Sequence, residues 1–110
     1  MDIKEYLGKT VDVVIDRPLG YKRPKYNMIY EVNYGYVPGT ISGDGEHIDV
    51  YVLGEKTPLK TFRGKVIAII HRLNDNDDKL IVTSGNDYSV DDIRAFTDFQ
   101  EKFFESIIIK

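Results

Sequence analysis

The chain has 110 residues, 42% hydrophobic and 30% charged, with a formal net charge of −3 and no cysteine. That length supports one domain over residues 1–110 around a single core, and the composition is globular rather than disordered. Disulfides and zinc–thiolate sites are excluded, so any metal must take oxygen or imidazole ligands, which favours a hard divalent ion, and the acidic balance argues against a nucleic-acid binder.

No apolar run approaches the roughly 20 residues that cross a bilayer, and the opening "MDIKEYLGKT" lacks the apolar centre of a secretory signal. The expectation is a cytoplasmic protein that engages neither membrane nor nucleic acid. The first element is "VDVVID", where Val11, Val13 and Ile15 alternate with Asp12, Val14 and Asp16. Period two predicts a strand with one buried face and Asp16 at its end. "RPLGYKRPKYN" follows, with two prolines, a glycine and the basic residues Arg17, Lys22, Arg23 and Lys25. It reads as an irregular loop whose charge suits a small anionic ligand.

"MIYEVNYGYVPG" is rich in aromatic and branched residues and predicts one strand ending at Pro38-Gly39, with Met28, Tyr30, Val32, Tyr34 and Tyr36 on a shared face. "HIDVYVLG" predicts another, with Asp49 opposite Ile48, Val50 and Val52. After the turn-rich "EKTPLKTFRG", the apolar "KVIAIIHR", the polar "LNDNDD" and "KLIVTS" predict a hairpin with an acidic tip. From Ser89 the period changes. Ser89 and Asp92 resemble a capping box, and Ile93, Phe96, Phe99, Phe103 and Ile107 recur at helical spacing, predicting one amphipathic helix that ends the chain and buries its Phe-rich face. Five short strands and a final helix without alternating βαβ units predict a mainly β fold, a small five-stranded antiparallel OB-like barrel with a C-terminal α-helix packed on it.

Two carboxylate clusters stand out. Asp44, Glu46 and Asp49 crowd one turn before an apolar strand. In one reading Asp44 and Asp49 ligate Mg²⁺ or Mn²⁺ while Glu46 serves as a base, since Mg²⁺ needs only one or two carboxylates beside water and phosphate oxygens. In the other the turn is simply solvated. Asp75, Asp77 and Asp78 before Lys79 either complete such a site or form a polar hairpin tip. Arg17, Lys22, Arg23, Lys25 and Lys79, with the hydroxyls of Tyr30 and Tyr34, either hold phosphate oxygens or are solubilising charges and half-buried sheet aromatics. His47 and His71 read as ordinary strand residues.

The stretch "YEVNYGYVPGTISGDGEHIDVYVLG", residues 30–54, resembles the core signature of the soluble family I inorganic pyrophosphatases, Tyr-Pro-x-Asn-Tyr-Gly-Tyr/Phe followed by Asp-x-Asp-Pro-x-Asp. "VVIDRP" and "DDKLIV" extend the similarity to about two thirds of the chain. The resemblance implies Mg²⁺-dependent hydrolysis of pyrophosphate to two phosphates. It places Asp44, Asp49 and Asp77 as metal ligands, sets Asp16 in the place of an upstream glutamate that faces the metals, and makes Asp75 a looser match to another ligand. It makes Glu46 the group that activates the attacking water, Lys79 and Tyr34 active-site partners of phosphate, and Tyr30 a less direct one.

The departures from the signature are specific. Glu46 and His47 stand where the family has aspartate and proline, and the segment before the tyrosine-rich strand is short and lacks the Lys-x-Glu pair. "FFESIII" lacks the Tyr-Lys pair that the family places after its last Phe-Phe-Glu. Lys22, Arg23 or Lys25 could replace the lost phosphate contacts. The same barrel could instead bind a metal-phosphate or nucleotide without hydrolysis, or hydrolyse a bulkier diphosphate. The sequence leaves a homo-oligomer open.

Overall fold

The structure, a computed structural model, describes residues 2–42, 45–75 and 77–110. Its strands are β1 (Thr10–Arg17), β2 (Lys22–Arg23), β3 (Met28–Ile29), β4 (Asn33–Val37), β5 (Ile48–Val52), β6 (Thr61–Arg72), β7 (Asp78–Thr83) and β8 (Ser106–Ile109), with the helix α1 (Val90–Glu101) between β7 and β8. The main sheet runs β1-β4-β5-β7-β6, and β1 also pairs with β6, which closes a five-stranded barrel and removes its edges. The 12-residue β6 makes closure possible. Its first part pairs with β1 and its later part with β7, and a register shift between Val66 and Ala68 bends it from one partner toward the other.

Alternation along the strands builds two cores. Val11, Val13 and Ile15 of β1 join Val37, Val50, Val52, Leu80 and Val82 inside the barrel. On the outer face Tyr30, Tyr34, Tyr51, Ala68, Ile70 and Ile81 pack against Ile93 and Phe99 of α1. Strands covered on both faces read as continuous apolar runs, and this is why "VIAII" and "LIV" show no alternation in the sequence.

Several expectations are corrected. The strand pairs are mixed, because β5 and β7 run parallel with Asp49 opposite Lys79. β6 lies between them in sequence and crosses the barrel, so β7 returns in the direction of β5. The stretch from Met28 to Val37 is two strands. β3 pairs with β2 to make a small ribbon within the basic loop, and Tyr30 is held by backbone hydrogen bonds to Gly20 and Tyr21 before β4 begins. The Asn33 side chain fixes that bend: its Oδ1 accepts from the amides of Leu19 and Leu59 at 3.0 Å each, and its Nδ2 donates to the Thr57 carbonyl. Tyr30 and Tyr34 still meet in one core, with ring centroids 5.5 Å apart.

The helix does not end the chain. The Ser89 hydroxyl caps it by accepting from the Asp92 amide at 3.1 Å, and it stops at Glu101. Ser106–Ile109 then pairs with β6 as an added strand, so Ile107 belongs to β8, as its run of β-branched neighbours favours. Phe103 and Ile107 are largely exposed, and Phe96 is 39% exposed, so the buried helix face is Ile93, Thr97, Phe99, Gln100 and Glu101 rather than the full phenylalanine series. Among the described residues no helix is long and apolar enough to cross a membrane.

Candidate active site

Three neighbouring strands bring the polar groups together on the outer face of the barrel. The register sets Asp49 of β5 beside Tyr36 of β4 and beside Lys79 of β7, and period two carries Tyr34 and Asp77 onto the same face. Lys79 Nζ donates to Asp49 Oδ2 and to Asp77 Oδ2, both at 2.6 Å. The Tyr34 hydroxyl donates to Asp49 Oδ2 at 2.9 Å. Lys79 is 3% exposed, so its charge is tolerable only because two carboxylates hold it.

These contacts set the protonation states. Burial favours loss of the Lys79 proton, but the Tyr34 oxygen and the Asp49 and Asp77 carboxylates outweigh it and raise the pKa above the ordinary lysine value. Burial pushes the Tyr34 hydroxyl well above its usual value despite the neighbouring ammonium. Asp16 is raised by partial desolvation, opposed by Arg17 and reinforced by the charge of Asp49. Arg17 Nη1 donates to the Tyr30 hydroxyl at 2.8 Å, and its guanidinium lies 5.7 Å from the Tyr30 and Tyr34 ring centroids.

The cluster opens into a cleft of about 920 Å³. Arg17, Tyr34, Asp49, Arg72 and Lys79 line it from the barrel, Arg23, Tyr26 and Ile29 from the β2–β3 ribbon and its turn, and Lys102, Phe103 and Phe104 from the segment after α1. Five of the lining side chains are cationic (Arg17, Arg23, Arg72, Lys79, Lys102) and two are carboxylates (Glu31, Asp49). Because Lys79 and Arg72 are already paired with Asp49, Asp77, Asp75 and Glu101, the anion-attracting excess of the cleft among the described residues rests on Arg17, Arg23 and Lys102.

Other expected site residues sit elsewhere. Asp44 lies outside the described residues. Glu46 is exposed on its turn, and neither it nor Asp16 is among the residues lining the cleft. Lys22 and Lys25 are exposed and outside the cleft lining, whereas Arg23 is half-buried and lines it. The Tyr30 hydroxyl is buried beneath the cleft, where it accepts from Arg17 and donates to Gln100 Oε1. Asp75 accepts from Arg72 Nη1 at 3.1 Å and from the Asp77 amide at 3.2 Å.

Arg72, Tyr51, Gln100 and Glu101 were not legible as site-supporting residues. Arg72 Nε and Nη2 donate to the two Glu101 oxygens at 3.0 and 2.7 Å, its Nη1 lies 3.9 Å from Asp77 Oδ2, and its guanidinium lies 3.6 Å from the Phe104 ring centroid. The Tyr51 hydroxyl donates to Glu101 and accepts from Gln100 Nε2 at 2.7 Å. A buried belt thus ties α1 to β5 and β6, the two strands on either side of β7, which carries Lys79. Its one sequence signal is the i, i+4, i+8 spacing of Ile93, Thr97 and Glu101, which puts a carboxylate on the buried helix face.

Among the described residues no three His, Asp or Glu side chains converge as a preformed metal cage. The donor set nevertheless fits Mg²⁺ in its sparse mode. Asp49 and Asp77 already converge on one cation, the Lys79 ammonium, and Asp49 faces the cleft where water and phosphate oxygens would complete the coordination.

A family model described as Inorganic pyrophosphatase matches residues 5–108. The chain is similar to soluble inorganic pyrophosphatase 2 of Chlamydomonas reinhardtii, 34% identical over 79 residues that cover 68% of this chain and 40% of that protein. It is also similar to the inorganic pyrophosphatase of Pseudomonas aeruginosa, 30% identical over 86 residues, 73% of this chain and 49% of the other. The chain therefore spans about half the length, or less, of these curated relatives. In three dimensions it resembles the crystal structure of inorganic pyrophosphatase from Ehrlichia chaffeensis, with a TM-score of 0.71 at 20% identity, covering 91% of this chain and 84% of that one. At that identity the likeness establishes the shared fold.

Proposed function

The chain belongs to the inorganic pyrophosphatase family, and from that premise we propose that it hydrolyses inorganic pyrophosphate to two phosphates with a divalent ion, Mg²⁺ or Mn²⁺. The observation that supports this most directly is the buried Lys79 ammonium held between Asp49 and Asp77 on the wall of a cationic cleft.

In this reading Asp49 and Asp77 would hold the ion, with Asp44 and Asp16 as further carboxylates assigned by resemblance. The chemistry a bound divalent ion supplies is neutralisation of diphosphate charge and a lower pKa for water. Lys79, Tyr34 and Arg17 donate to phosphate oxygens and steady the leaving phosphate as its charge grows. Arg72 and Asp75 position Asp77 from behind. Glu46 accepts the proton of the attacking water, from a turn that is exposed rather than part of the cleft wall.

That exposed placement of Glu46, together with its replacement of aspartate, favours one second reading: the same site binds a metal-phosphate without cleaving it. Phosphate release from pyrophosphate, measured with and without Mg²⁺ or Mn²⁺ and with Asp49→Ala in parallel, separates the two. Metal-dependent release that the substitution lowers by about 100-fold or more supports the hydrolase. Binding of pyrophosphate and Mg²⁺ without release supports the binding module.

A further inference from the structure

The cleft offers more than two phosphates can use. Its volume of about 920 Å³ is near the top of the roughly 300–1,000 Å³ typical of pockets that enclose drug-sized molecules. Tyr26, Ile29 and Phe103 line it and are 57%, 57% and 62% exposed, so large apolar side chains stand in water on the wall of a charged cleft. Exposed apolar groups gathered at one place mark a surface for an apolar partner. Each aromatic ring also carries a cation: the Arg23 guanidinium lies 4.4 Å from the Tyr26 centroid, and Lys102 Nζ lies 5.4 Å from that of Phe103. Inorganic pyrophosphate has no apolar surface with which to engage these rings.

We propose that the cleft takes a nucleoside 5′-diphosphate, with the diphosphate on Lys79, Tyr34 and Arg17 and the base stacked on Tyr26 or Phe103. Stacking on aromatic rings tolerates any base, because every base has a π-face. Glu31, a carboxylate in the same lining, is an acceptor for the ribose hydroxyls. The proposal rests on the hydrolase reading for its reaction and adds the substrate class. The oxygen of water bonds to the terminal phosphorus, and the bond from that phosphorus to the bridging oxygen breaks. The nucleoside monophosphate leaves with the bridging oxygen, inorganic phosphate forms, and the water proton passes to solvent.

The test compares ADP with methyl diphosphate, which carries the same diphosphate and no ring, in the presence of Mg²⁺. The wild-type protein is expected to prefer ADP by about tenfold or more in kcat/KM, the scale of one stacked base. Tyr26→Ala with Phe103→Ala should remove most of that preference, and Phe103→Trp should keep it; all these changes fall on exposed side chains. Equal use of the two compounds, a preference that survives loss of both rings, or hydrolysis of pyrophosphate with none of ADP would overturn the proposal. If pyrophosphate is not hydrolysed either, the hydrolase reading alone fails, and the same comparison in dissociation constants decides the subsite. Tighter ADP binding that needs the two rings supports it, and equal binding overturns it.

Discussion

Lys79 shows how one side chain can be both structural and chemical. Its ammonium is nearly buried and stands 2.6 Å from each of two carboxylates, so Lys79→Met leaves Asp49 and Asp77 facing each other without it. Removing one partner of such a group costs about 3 kcal/mol, measurable by urea denaturation, and the same substitution should abolish most phosphate release. Tyr51 gives a pH prediction. Burial and the Glu101 carboxylate hold its pKa well above the ordinary value. A group whose folded pKa is raised contributes stability that is whole below the unfolded pKa, about 10, and is lost as pH rises through the folded value. Stability should therefore fall above about pH 10. Near pH 11, where ordinary tyrosines are largely ionised, tyrosinate absorbance should lack the contribution of Tyr51 and Tyr34 until urea unfolds the chain, and ionisation of both with native circular dichroism would contradict the burial argument.

At the scale of elements, closure of the barrel depends on how closely β1 approaches β4. Gly35 sits where a Cβ would lie 1.9 Å from the Val14 carbonyl oxygen and 2.8 Å from the Ile15 Cα, both backbone atoms that cannot turn aside. Gly35→Ala should cost about 3 kcal/mol or more and leave little soluble protein, whereas Gly39→Ala, with open space around it but a positive φ, should cost about 1 kcal/mol and remain foldable. Strand and helix identities were legible from period at β1, β5 and α1, whereas β7, buried on both faces, was legible only as a short apolar run after an acidic turn. The break at Tyr30 was not, because what bends the chain there is Asn33 bonding to Leu19, Thr57 and Leu59, residues far away in sequence. The end of α1 was misread for a related reason: phenylalanines continue the helical spacing past Glu101, but pairing with β6 satisfies the backbone of Ser106–Ile109 instead.

For the whole molecule, the distribution of charge matters more than its sum. The chain carries −3 overall, yet among the described residues its cleft is lined by Arg17, Arg23 and Lys102 in addition to Arg72 and Lys79, which are already paired with carboxylates. Raising ionic strength toward 1 M should therefore raise KM for an anionic substrate several-fold while leaving kcat nearly unchanged, since screening acts on encounter more than on groups in contact. A KM indifferent to salt would mean that the cleft cations do not act on the approaching ligand.

The sequence by itself determined the family and the barrel with its helix, because a local signature and a period of two fix which residues share a face; it grouped Asp49, Asp77, Lys79 and Tyr34 only through the family resemblance, and the parallel pairing of β5 with β7 brings Asp49 beside Lys79. Only the tertiary structure decided that Arg72, Tyr51 and Glu101 brace that site, and that Arg23 rather than Lys22 or Lys25 lines the cleft. Those outcomes depend on β6 bending between partners and on α1 docking across the outer face. Contacts of that kind join residues tens of positions apart, and no local pattern records them.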